Sequence, residues 1–112
     1  MIDPKAYPNL TPMPTQWASQ FSALVSDFRS DLAVPQLPVV FNQIGTATAP
    51  AQIVPNWDIV KEQQRSVELP HTSMITTDDL PLQDEVHFTT ASYLEIGRRF
   101  ADAYWMLTHP NK

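Results

Sequence analysis

A carboxylate and an imidazole stand three positions apart in the segment Asp84-Glu85-Val86-His87-Phe88. A histidine that acts as a general base must present one ring nitrogen to a nucleophile while the other nitrogen donates a hydrogen bond to an orienting acceptor. A nearby aspartate suits the orienting role, because its carboxylate only accepts hydrogen bonds. The spacing therefore makes Asp84 and His87 a candidate catalytic pair, with His87 as the base.

Two other interpretations of these residues are open. Asp84 or Thr89 would help to cap the following helix, and His87 would be an ordinary surface histidine; spacing alone favours this alternative, because a bare Asp-x-x-His pattern is weakly specific. The oxygen-rich neighbourhood also suggests a hard divalent cation such as calcium or manganese. Its ligands would be Asp78, Asp79, Asp84, Glu85 and His87, whose spacing matches no known ligand loop.

The pair is predicted to lie in a loop that connects a strand to the last helix. Apolar residues recur at steps of three and four over 15–32 and again from 90 onward, which predicts helices there, the first of them capped by Thr15. Residues 39–44 and 71–77 predict two short strands. Between the strands, Asn56 is expected to cap a helix that ends near Glu68. The apolar face of the last helix is predicted to comprise Tyr93, Leu94, Ile96, Gly97, Phe100, Ala101 and Tyr104.

The order strand, helix, strand predicts one right-handed βαβ crossover with parallel strands. Consecutive apolar residues in the first strand indicate that helices cover both of its faces. The predicted fold class is therefore α/β, as part of a three-layer α/β/α arrangement with a C-terminal helix. A two-stranded parallel sheet leaves strand edges without partners, so further strands are expected from elsewhere.

Composition limits the partners and the organisation of the chain. The 112 residues suit one small domain, and the prolines at 4, 8, 12 and 14 predict an extended arm over 1–14, which is not a signal peptide, followed by the folded part over 15–112. A net charge of −5 with seven Lys and Arg residues argues against nucleic acid and anionic membranes. The absence of cysteine excludes thiol nucleophiles and disulfides, and no cofactor is expected. Localisation stays open.

The residues around the pair resemble a known enzyme family. The resemblance is carried by Asp79-Leu80, Asp84, Val86-His87-Phe88, Tyr93, Gly97-Arg98-Arg99 and Ala101, with Leu37-Pro38-Val39-Val40 and Trp57 with Gln63 or Gln64 upstream. Together these look like the C-terminal part of sialate O-acetylesterase-like carbohydrate esterases, which are SGNH-type hydrolases with a flavodoxin-like α/β/α fold. The resemblance extends over about 17–107, and acetylxylan esterases are among the enzymes that the chain resembles.

The resemblance implies roles for four residues. His87 would be the general base, Asp84 its orienting partner, and Asp79 and Leu80 part of the loop that shapes the substrate site. The family's serine lies in a Gly-Gln-Ser or Gly-Asp-Ser turn, and later Gly and Gln-Gly-Glu elements supply or support the oxyanion hole. None of these elements occurs here, and none of the seven serines adjoins a glycine.

Two hypotheses about function follow. In the first, the chain is the C-terminal part of a serine-type carbohydrate O-acetylesterase that acts on acetylated sugars. It is inactive alone, and another segment or chain supplies the serine and the remaining strands. In the second, it is a non-catalytic α/β interaction domain that binds another chain by strand addition. The first requires Nδ1 of His87 within about 3 Å of an Asp84 carboxylate oxygen and Nε2 facing an open cleft.

Overall fold

The computed structural model of the chain describes residues 13–50, 52 and 54–110. The first twelve residues of the predicted arm lie outside this range, and its last two belong to a short 3-10 helix, Met13–Gln16. The elements that follow are α1 (Trp17–Asp31), β1 (Val39–Asn42), α2 (Trp57–Arg65), β2 (Thr72–Ile75) and α3 (Thr90–Thr108). In the part of the chain that is described, no helix has the length and apolar character needed to cross a membrane.

The helix starts depend on the backbone conformation of the cap residue. Gln16 and Asn56 precede α1 and α2 with ψ angles of 2° and 8°, and neither makes a side-chain cap hydrogen bond. Thr89 precedes α3 with extended backbone, ψ 163°, and its side chain accepts a hydrogen bond from the amide of Ser92. The extended conformation directs a cap side chain toward the free amides of the first turn. The residue at the cap position of α1 is Gln16 and not the predicted Thr15, whereas Asn56 has the expected place without the expected bond.

The two strands pair in parallel, as the predicted crossover requires, in a register that runs from Val39↔Thr72 to Asn42↔Ile75. The helix between them ends at Arg65, three residues earlier than expected. A parallel pair joined through a helix confirms the α/β fold class.

Helices cover both faces of β1. Successive strand residues point to opposite faces. The ring of Phe41 lies 4.7 Å from that of Phe21 in α1, whereas Val40 packs against the core cluster that contains Ile96 of α3. All four residues of β1 are nonetheless only half-buried, because the sheet has just two strands within the described residues.

The core on the α3 side is small. Ile75, Phe88 and Ile96 form its buried centre, and Phe100 packs against it. The predicted apolar face of α3 was too wide: Leu94 is 74% exposed. The other members of that face which are exposed are Tyr93, Gly97, Ala101 and Tyr104. At 100° per residue these positions lie on a flank of the helix that turns away from the sheet.

A buried arginine fastens the N-terminal ends of both strands. Arg29 of α1 is 9% exposed, and its guanidinium donates to the carbonyl of Leu37 at 2.8 and 3.1 Å. The same group reaches the carbonyls of Pro70 at 2.8 Å and His71 at 3.2 Å. One planar fork thereby satisfies carbonyls from the segments that enter β1 and β2.

We expect Arg29→Lys to lower the free energy of unfolding by about 2 kcal/mol, because an ammonium keeps the charge but cannot replace the fork that joins these carbonyls. Urea denaturation at fixed pH measures the change. Arg98→Lys is the matched control, since among the described residues Arg98 pairs only with exposed or half-exposed Glu95 and Asp102 on the surface of α3. It should shift stability by less than about 0.5 kcal/mol. Equal shifts for the two variants would contradict the prediction.

Candidate active site

The candidate pair lies in a small closed loop between β2 and α3. Leu82 and Phe88 form an antiparallel bridge, and the amide of Gln83 donates to the carbonyl of His87 at 2.8 Å. Phe88 belongs to the core and is 8% exposed. Residues 82–88, here called the dyad loop, are therefore anchored at their base while the loop carries Asp84 and His87 outward.

Asp84 and His87 make the contact that their spacing predicted. Nδ1 of His87 lies 2.9 Å from Oδ2 of Asp84 and 3.1 Å from Oδ1. An ionised carboxylate offers only acceptors, so the hydrogen-bond network assigns the proton of a neutral His87 to Nδ1. The lone pair then lies on Nε2, which is the tautomer that a general base needs.

The carboxylate of Asp84 is held by the loop backbone as well. Its Oδ1 accepts hydrogen bonds from the amides of Val86 at 2.9 Å and His87 at 2.7 Å. These two amides, and then the His87 ring, lower the pKa of Asp84 from 3.8 to about 2. Asp84 therefore stays ionised wherever a histidine titrates, as an orienting partner must.

The acid titration of Asp84 follows from these contacts. The pKa of Asp84 in the folded chain is below the ordinary value of 3.8 that applies to the unfolded chain. The stability that the ionised carboxylate adds is therefore present above about pH 3.8 and is lost as pH falls through about 2. NMR titration of the carboxyl carbon should give a midpoint near 2 in the folded chain and near the ordinary value in urea. A midpoint at or above 3.8 in the folded chain would contradict the hydrogen-bond assignment.

The surroundings of Nε2 are open. The His87 side chain is 63% exposed, and no described residue hydrogen-bonds its Nε2. A groove of about 400 Å³ lies beside α1, near the N-terminal ends of the strands, and is lined by residues that include Val25, Arg29 and Leu69. This groove is at the opposite end of the strands from the dyad loop. His87 does not line this groove, and the cleft expected at Nε2 stays a prediction.

Asp79 and Leu80 hold the chain that leads into the dyad loop. The Arg99 guanidinium donates to both carboxylate oxygens of Asp79, at 2.8 and 2.6 Å, and to the carbonyl of Thr76 at 2.9 Å. This arginine is the main reason why the pKa of Asp79 is lowered from 3.8 to about 2. Leu80 packs against the core. Both residues thus serve the framework of the site, and their role toward a substrate stays a prediction.

The segment that leaves β1 supports the dyad loop from the other side. The amide of Thr48 donates to the carbonyl of Glu85 at 2.9 Å, and the indole of Trp57 donates to the carbonyl of Gly45 at 2.7 Å. Gly45 lies so close to Phe88 that an added Cβ would be 2.6 Å from its ring. Sequence reasoning did not assign Gly45 and Thr48 to the site; a glycine directly after a strand was the available signal.

No serine of the chain forms a hydrogen bond with the His87 ring. Ser92 is 2% exposed, and its hydroxyl donates to the carbonyl of Pro81 at 2.8 Å. The hydroxyls of Ser22 and Ser66 donate to carbonyls of their own helices. None of the seven serines, all of which the structure describes, hydrogen-bonds the imidazole. The structure therefore places no serine hydroxyl in hydrogen-bond contact with the imidazole of the candidate pair.

Two acidic residues near the loop are already paired with basic side chains. Asp78 forms an ion pair with Lys61, and Asp79 forms one with Arg99. No group of three or more histidine or acidic side chains suited to a metal ion occurs within residues 13–50, 52 and 54–110. The described residues give the hard-cation alternative no support.

The fold and the loop together define an α/β protein with an Asp–His pair beyond the C-terminal ends of parallel strands, where open α/β sheets build their sites. The family model for carbohydrate esterases described as sialic acid-specific acetylesterases matches residues 11–106. That match covers most of the 112 residues, and the chain belongs to this carbohydrate esterase family, as the sequence predicted.

An Arabidopsis thaliana protein is similar to this chain in both sequence and structure. A probable carbohydrate esterase from that plant is 29% identical over 89 residues, which are 79% of this chain and 32% of the relative. The X-ray structure of that plant protein matches with a TM-score of 0.69 at 26% identity, covering 81% of this chain and 36% of the solved one. The present chain thus spans about a third of the length of the relative.

Proposed function

We propose that the chain provides the Asp84–His87 pair of a serine-type carbohydrate O-acetylesterase of the SGNH type. The observation that carries the proposal is the 2.9 Å contact from Nδ1 of His87 to Asp84, which leaves Nε2 free in a member of a carbohydrate esterase family. The ionised Asp84 fixes the tautomer and stabilises the imidazolium that forms during proton transfer.

The proposed reaction has two halves. Nε2 of His87 takes the proton of a serine hydroxyl while the serine oxygen attacks the acetyl carbonyl, and His87 then returns that proton to the departing sugar oxygen. In the second half His87 takes a proton from water, the water oxygen attacks the acetyl-serine, and the proton goes back to the serine as acetate leaves. Oxyanion-hole donors stabilise both tetrahedral intermediates, typically by about 3 kcal/mol for each donor.

The serine and the oxyanion donors, in this proposal, come from polypeptide other than these 112 residues. Neither of the two glycines, Gly45 and Gly97, adjoins a serine, so the sequence contains no tight serine turn of the family type. The exposed Nε2 and the unpaired edge of β1 leave room for such a segment to approach. The matched region is 32% of the Arabidopsis relative, so a relative of that length has room for one.

Acetate release tests the proposal. The chain alone and the chain mixed with a polypeptide from the upstream reading frame that carries a Gly-Gln-Ser or Gly-Asp-Ser turn are each given O-acetylated sialic acid and acetylated xylan. The proposal predicts acetate release from the mixture with at least one of these substrates and none from either part alone. Hydrolysis by the serine-bearing polypeptide alone at the full rate would overturn it.

A non-catalytic binding domain is the second candidate function. The edge of β1 that faces away from β2 has no partner strand within the described residues, and such an edge accepts an added strand. A folded, stable complex of the two polypeptides that releases no acetate from any substrate would favour this function over the esterase.

A further inference from the structure

The base of the dyad loop is tied to the first turn of α3 through a single carbonyl. Pro81, which immediately precedes the loop, accepts a hydrogen bond from the Ser92 hydroxyl at 2.8 Å and a longer one from the Thr89 amide at 3.3 Å. Ser92 is 2% exposed. Its side chain is therefore fixed, and so is the point at which the loop leaves the core.

Ser92 and Thr89 form a connected set of hydrogen bonds behind this contact. The Thr89 hydroxyl donates a hydrogen bond to Oγ of Ser92 at 2.9 Å and accepts one from the Ser92 amide at 3.1 Å. The Ser92 hydroxyl then has its own proton left for Pro81. Linked hydrogen bonds polarise and strengthen one another in a buried setting. Removing the Ser92 hydroxyl therefore removes two hydrogen bonds: the one that it accepts from the Thr89 hydroxyl and the one that it donates to the Pro81 carbonyl.

We infer that Ser92 is a positioning residue for the Asp84–His87 pair, an inference that rests on the proposed esterase function for its catalytic meaning. Asp84 and His87 are exposed and contact mainly each other and their own loop, so their direction is set where the loop is anchored. The anchors are the Leu82–Phe88 bridge, the Thr48 amide that donates to the Glu85 carbonyl, and the Pro81 carbonyl that Ser92 holds. A displacement of about 1 Å in a catalytic group costs on the order of a hundredfold in rate.

The test compares four variants in two measurements. Ser92→Ala removes the hydroxyl, Ser92→Cys removes the strong donor while nearly keeping the volume, and Ser92→Thr restores a hydroxyl. Ser22→Ala is the matched control, because the Ser22 hydroxyl donates only to the carbonyl of Ala18 in its own helix. Nitrogen-15 NMR of the chain gives the fraction of neutral His87 with its proton on Nδ1. Steady-state acetate release by the mixture gives kcat and KM separately.

We expect Ser92→Ala and Ser92→Cys to lower the Nδ1–H fraction and to reduce kcat by about 10- to 100-fold with KM within about twofold. Ser92→Thr should recover most of the loss, and Ser22→Ala should change neither quantity. If Ser92→Ala does not fold, Ser92→Cys decides. A folded variant without the donor that keeps the wild-type tautomer and kcat would overturn the inference.

The two measurements separate this inference from the proposed function. The NMR comparison needs no turnover, so it decides whether Ser92 orients the pair even if the wild-type mixture releases no acetate. In that event the esterase proposal fails, while a tautomer shift in Ser92→Ala would still support the positioning role.

Discussion

Replacing His87 by alanine should reduce acetate release by the two-part mixture by at least about a thousandfold in kcat. The imidazole is proposed to move the proton in both halves of the reaction, and general acid–base catalysis alone contributes about 10²- to 10⁴-fold. Asp84 remains ionised but has nothing to orient in this variant. The KM should change little, because Nε2 moves protons in the transition states and is not proposed to bind the sugar before the reaction.

The matched control is His71→Asn. His71 is exposed and has a positive φ of 53°, a conformation that asparagine tolerates better than alanine does. It precedes β2, at the opposite end of the strand from the dyad loop. We expect the kcat of the mixture that contains His71→Asn to stay within about twofold of wild type. A His87→Ala mixture that keeps more than a tenth of the wild-type kcat would remove His87 from the mechanism.

The second large effect is expected at Gly45. A Cβ there would lie 2.6 Å from Cζ of Phe88 and 3.1 Å from Oγ1 of Thr77, which is 1% exposed. Phe88 cannot withdraw freely, because its ring is part of the core with Ile75 and Ile96. Overpacking of this kind costs about 1–3 kcal/mol, so Gly45→Ala should lower the urea midpoint markedly.

Gly97 provides the opposite case within the same chain. It lies inside α3, and apart from its two chain neighbours and the adjoining helix backbone, no heavy atom of the described residues comes within 4 Å of a Cβ placed on it. Gly97→Ala should therefore raise the free energy of unfolding by about 0.5–1 kcal/mol, through helix propensity and the smaller entropy of the unfolded chain. Destabilisation by Gly97→Ala would contradict the open space described at Gly97, and an unchanged stability of Gly45→Ala would contradict the packing described around Gly45.

The features that could be predicted from the sequence are those that local patterns determine. The order of a strand pattern, a helix pattern and a second strand pattern predicted the βαβ unit. The three-residue spacing of Asp84 and His87 predicted their contact. Both rest on residues that are near in sequence, so the chain geometry leaves few alternatives. The catalytic roles of the two residues stay predictions, because contact and family membership do not measure turnover.

The features that could not be predicted depend on tertiary contacts. The flank of α3 around Leu94 is apolar in sequence but exposed in the structure. Hydrophobicity alone does not distinguish an apolar residue that is buried from one that is exposed. The approach of Gly45 to Phe88 joins residues 43 positions apart, and its only local sign is the glycine itself. The hydroxyl of Ser92 reaches Pro81 across the whole dyad loop. Such contacts follow from how the elements pack and not from their patterns.

Labelling with a serine-directed fluorophosphonate tests the central claim most directly, since the reagent bonds only to a serine that a base has activated. The chain, the serine-bearing polypeptide and their mixture are treated in parallel, and mass spectrometry locates the label. We predict rapid labelling in the mixture only, on a serine outside these 112 residues, and its loss with His87→Ala. A label on one of the chain's own seven serines, or labelling of the partner at the same rate without this chain, would contradict the account.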